Sequence, residues 1–154
     1  MTKRQLETFS VLSKKNWGLK HKAATIYLNI AFCYEKLGDY DSVEPLLQEA
    51  LAYYPEPTIY LNLGSYYSTK WERAGGNRGG KMEDLKQAIQ YCQNAHELLP
   101  LSPNPSYCLG LCYQGLGELE KAMLYLREAS HLEPAGETGE KARKLLKTLE
   151  TESR

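Results

Sequence analysis

The sequence predicts an all-α chain: three helix pairs in tandem, with one further helix at each end. Three observations carry this. Apolar residues recur at three- and four-residue spacings through most of the 154 residues, as helix faces require. Glycine or proline stands between these stretches at Gly38, Pro55, Pro100, Gly117 and Pro134, where helices stop. Like residues also recur at a long period: Tyr34 and Tyr67 are 33 apart, and Pro100 and Pro134 are 34 apart. Such a period marks stacked helix pairs, none of which buries its apolar face alone.

The clearest unit runs from Leu109 to Pro134. Gly110 has no side chain, so a second helix can approach its backbone. Ala122 and Ala129, two turns apart on one helix face, allow the same closeness. Tyr113 and Leu126 fill the space between the helices. Gly117 suits the left-handed turn that ends the first helix, and Pro134 ends the second. Leu109-Gly110, Tyr113, Ala122, Leu126 and Pro134 follow the pattern W-x₂-L-G-x₂-Y…A-x₃-F…P. This stretch resembles a tetratricopeptide repeat. The resemblance implies a right-handed superhelix, with the first helices of successive repeats lining a concave groove.

In chain order, residues 1–22 read as a basic N-terminal helix. Thr2 and Gln5 suit a capping box, Leu6, Phe9 and Leu12 make a narrow stripe, and Gly18 is a plausible stop. Six basic residues against Glu7 are read as a solvated face rather than a presequence or membrane helix. Residues 23–136 form the three-repeat domain. The first repeat holds Tyr27, Ile30, Ala31, Tyr34, Gly38, Val43, Leu47, Ala50 and Pro55 at the pattern positions. The second starts at Pro57 with Tyr60, Leu63, Gly64 and Tyr67, then Ala88, Cys92, Ala95 and Pro100. It carries 12 extra residues between its helices, the insertion 70–82. The third starts at Pro103, where Pro105 and Ser106 leave its first turn short of bulk. Residues 137–154 form a one-sided helix of Ala142, Leu145, Leu146 and Leu149, the character of a cap.

Lysine plus arginine and aspartate plus glutamate are 19 each, so overall charge gives no support to a nucleic-acid role. No apolar run approaches a membrane span. Cys33, Cys92, Cys108 and Cys112 show no framework spacing. They are read as reduced thiols in a cytoplasmic protein, with Cys33 and Cys112 as small core residues.

Gly75, Gly80 and Lys81 spell a phosphate-loop pattern, but Met82 replaces the Ser or Thr and a helix precedes it, so nucleotide binding is not expected. Lys70, Arg73, Arg78 and Lys81 surround a glycine run. This resembles an arginine–glycine segment that contacts RNA; a flexible, charge-solvated loop is preferred, with Trp71 packed back on the domain. Cys108 and Cys112, four apart on a helix, place two thiols together with no partner ligand nearby in sequence, so no metal is expected. His21, His96 and His131 stand beside no nucleophile. Neither an enzyme nor a cofactor is expected.

What the resemblance implies is a protein–protein interaction module that holds an extended peptide of a partner protein. The expected lining is Leu28, Asn29 and Phe32, then Leu61, Asn62 and Ser65, then Tyr107, Cys108 and Leu111. One subclass grips acidic chaperone tails through lysine, arginine and asparagine. Here Leu28, Asn104 and Cys108 stand at its cationic positions and Asn62 alone matches, so that clamp is not expected. The alternative is an RNA- or phosphate-contacting factor using the basic start and the insertion.

Overall fold

The computed structural model describes the backbone of residues 3–152 and the side chains of Arg4 and residues 16–152. The capping pair and the Leu6, Phe9 and Leu12 stripe fall outside these side chains. All regular structure among the described residues is helical. The helices are α1 (Lys3–Leu37), α2 (Val43–Tyr53), α3 (Pro57–Arg73), α4 (Met82–Leu98), α5 (Pro103–Gly115), α6 (Leu119–Leu132) and α7 (Glu137–Glu152). No helix among the described residues is long and apolar enough to cross a membrane. The chain forms two compact units, Met1–Ile59 and Tyr60–Arg154.

In the first unit α1 packs on α2. The buried residues are Ala24 and Ala31 on α1 and Val43, Leu47 and Ala50 on α2. Tyr27 stacks on Tyr53, and Trp17 meets Tyr54 edge-on. His21 Nε2 lies 2.7 Å from Glu56 Oε1. The expected stop at Gly18 does not occur, since α1 runs through it to Leu37. A lone glycine costs a helix only about 1 kcal/mol, and the helix continues in good formers on both sides. Cys33 is also not a core residue: it is exposed.

Two turns between paired helices close alike. Gly38 and Gly117 have φ of 80° and 77°, open to glycine at little cost. The next N–H, from Asp39 or Glu118, donates to the carbonyl of Tyr34 or Tyr113 at 3.0 Å. These are the closing bonds of the left-handed helix stop. Asp39 then accepts from Ser42 N and Oγ at 3.3 and 2.9 Å, holding the entry to α2.

In the second unit, α3 and α4 are 17 residues each, against 13 and 14 for α5 and α6. Longer helices therefore absorb part of the insertion, and Lys70–Arg73 belong to α3. The remainder is a compact connector with a 3₁₀ turn at Gly76–Arg78, not the expected flexible loop. It folds over Trp71, which is 8% exposed. Gly76 and Gly80 lie against the indole, and Gly115 of α5 meets its far edge.

Between α5 and α6, a Cβ on Gly110 would come 2.7 Å from Leu126 Cγ, so the close approach is real. Pro105 and Ser106 are both buried, so the start of α5 is well packed, contrary to the expectation from their size. The α7 helix packs on α6 and α5, burying Ala142 and Leu149. Its first turn is held by Glu133, whose Oε2 accepts from the N–H groups of Thr138 and Gly139 at 2.8 and 3.1 Å.

Candidate functional site

Three helices of the second unit bound an open concavity of about 350 Å³. Leu61, Ser65, Ser68, Thr69 and Glu72 line it from α3, at the three- and four-residue spacing of one helix face. Asn104, Tyr107, Cys108 and Leu111 line it from α5, and Thr138 and Lys141 from α7.

Hydrogen bonds fix the rim. Asn104 Oδ1 accepts from Thr138 Oγ1 at 2.8 Å, joining α5 to α7. Lys141 Nζ donates to Glu137 Oε1 at 2.6 Å. That bond raises the lysine's pKa and lowers the glutamate's. Leu61, Tyr107 and Leu111 give the concavity apolar walls, while its hydroxyls can meet peptide N–H and C=O groups. One carboxylate, Glu72, and one ammonium, Lys141, leave the lining without a dominant charge.

The floor departs from expectation. Cys108 is disulfide-bonded to Cys92 of α4, so these two cysteines are not reduced thiols. The pairing joins helices 16 residues apart in sequence, which spacing alone does not reveal. Cys112 is a free, buried thiol. Burial pushes its pKa up to about 12, with a hydrogen bond to Ser68 opposing the shift.

Of the expected lining, Leu61, Ser65, Tyr107, Cys108 and Leu111 meet at this concavity. Asn62 is half-buried on α3 outside the lining. On α1, Leu28 is half-buried and Asn29 and Phe32 are exposed. The residues missed on α3 (Ser68, Thr69 and Glu72) continue the spacing of Leu61 and Ser65. Those on α7 carried no such signal, because they depend on where that helix docks. The phosphate-loop look-alike lies in the connector after a helix, with no strand before it.

The sequence profile of the tetratricopeptide repeat family matches residues 24–57 and 107–135. No curated protein matches the chain by sequence. Among solved structures, it resembles the first repeat domain of Spaghetti (RPAP3) bound to the HSP90 peptide SRMEEVD. That match has a TM-score of 0.70 and 19% identity over 85% of this chain and 93% of the other. The Arabidopsis OM64 repeat domain gives a TM-score of 0.68 and 19% identity, over 84% of this chain and 98% of the other. The first repeat domain of human RPAP3 gives 0.69 and 19%, over 84% and 91%. The chain thus carries two stretches that match the tetratricopeptide repeat profile, and it shares the helical repeat fold of these solved domains.

Proposed function

We propose that the protein is a non-enzymatic interaction module that holds an extended peptide segment of a partner protein. The observation that carries this reading is the concavity walled by Leu61, Tyr107 and Leu111 and edged by Ser65, Ser68 and Thr138. Apolar walls accept a side chain while the hydroxyls address the guest's backbone. The similar repeat domain that is bound to an HSP90 peptide supports peptides as the guest class.

The guest differs from an acidic tail. At the cationic positions of the chaperone clamp this chain has Leu28, Asn104 and Cys108. Asn104 is engaged by Thr138 and Cys108 by Cys92. The guest is instead an uncharged, apolar segment at this point. By the family resemblance, Leu28, Asn29 and Phe32 of the first unit and Asn62 of the second are further candidate contacts, each within its own unit.

Selection of binders from a random peptide display library tests this. Enriched sequences should share an apolar anchor, and their affinity should change little between low and high salt. No enriched peptide, or binding of an RNA oligonucleotide in a parallel assay with steep salt dependence, would count against the reading.

A further inference from the structure

Cys108 and Cys112 project from α5 one turn apart, and Cys92 faces them from α4. Among the described residues, their three sulfurs lie within 4.8 Å of one another, and all three side chains are buried. We propose that, once reduced, this trio is a binding site for a single thiophilic monovalent ion, Cu(I).

The donor set argues for that ion class. Thiolate sulfur selects soft metals, and carboxylate and carbonyl oxygen select hard ones. No histidine, aspartate or glutamate joins the cluster among the described residues. Zinc in a structural site takes four ligands in a tetrahedron, and this cluster supplies three. Cu(I) is content with three sulfurs in a plane. The helices give rigid placement: Cys108 and Cys112 share one face, as residues four apart do.

The neighbours suit a sulfur site. Gly64 of α3 leaves the space beside Cys92 Sγ that a Cβ would fill. Ser68 hydrogen-bonds the Cys112 sulfur, the supporting contact that orients a ligand. Cys108 lines the concavity, which gives the ion a route in.

The disulfide and the ion use the same sulfurs, so they exclude each other. A phosphine or dithiol reductant delivers two electrons to the Cys92–Cys108 bond, and each sulfur takes a proton. Binding of Cu(I) then displaces thiol protons to water as copper–sulfur bonds form.

The test uses the full chain with Cys33→Ser, which removes the exposed thiol. Protein reduced with a phosphine under argon is mixed with the copper(I)–bicinchoninate complex. One equivalent of copper should transfer, with loss of the violet complex. The oxidised protein should take none. Cys92→Ser, Cys108→Ser and Cys112→Ala should each lose the capture at the same competitor concentration, with circular dichroism showing each variant folded. Bound copper should block alkylation of all three cysteines, and zinc should not displace it. Equal capture by folded Cys112→Ala, capture by the oxidised protein, no capture by folded reduced protein, or displacement by zinc would overturn the assignment.

Discussion

Tyr113 of α5 lies flat on Tyr125 of α6, ring centroids 5.6 Å apart and planes within 1° of parallel. Tyr67 of α3 lies on Tyr91 of α4 in the same way, at 5.8 Å and 11°. The partners are 12 residues apart in one pair and 24 in the other, so the insertion leaves the tie between paired helices intact. A lysine sits over the leading tyrosine each time, Lys121 at 5.2 Å and Lys70 at 5.3 Å. Stacked aromatic pairs add about 0.5–1.5 kcal/mol beyond the area they bury. A double-mutant cycle of Tyr113→Leu and Tyr125→Leu, read by urea unfolding, should return a coupling of about that size. Additive losses would show that the rings merely occupy space.

Gly110 sets how closely α5 approaches α6. In Gly110→Ala the new methyl meets Leu126 and the backbone of Ala122. Overpacking of this kind costs about 1–3 kcal/mol. The same substitution at Gly18, where nothing lies within 4 Å, should leave stability unchanged or raise it by up to about 1 kcal/mol. Denaturant midpoints of the two variants make the comparison.

Trp71 holds the connector to the helices. Trp71→Ala should lose about 3–5 kcal/mol, as large-to-small aromatic changes do. Its indole N–H has no hydrogen-bond partner among the described residues, so Trp71→Phe should cost much less. Both are measurable by calorimetry. An equally stable Trp71→Ala protein would mean that the connector contributes nothing to the fold.

The Cys112 thiol makes the oxidised protein sensitive to alkali. Its pKa rises from 9.0 to about 12 on folding, so the folded state keeps its proton where the unfolded state has lost it. The stabilisation is complete below pH 9 and is lost as pH rises from there towards 12, by up to about 1.4 kcal/mol per unit. Against Cys112→Ala, the stability difference should therefore shift between pH 8 and pH 10.5, with the wild type weakening more. Parallel pH profiles would contradict the burial of this thiol.

The sequence made the helices legible because the repeat encodes them locally. Gly38 and Gly117 punctuate, Gly110 and Ala122 permit close approach, and Tyr113 and Leu126 fill the gap. It erred where a residue acts through distant contacts. Gly18 looks like a stop, yet nothing nearby makes the helix end there. Pro105 and Ser106 look too small to pack, yet neighbouring helices bury them. Cys92 meets Cys108 only because α4 packs on α5. Five of the 11 lining residues, on α3 and α5, were expected from the family resemblance, while Thr138 and Lys141 required the docked position of α7.

Amide chemical-shift mapping with a display-selected peptide tests the central claim most directly. On titration into ¹⁵N-labelled protein, the largest shifts should fall on Leu61, Ser65, Ser68, Tyr107 and Leu111, with smaller ones at Thr138 and Lys141. Leu111→Arg should abolish them without changing the melting temperature by more than a few degrees. Shifts confined to the 74–81 connector or to the outer face of α6, with the concavity silent, would contradict the account.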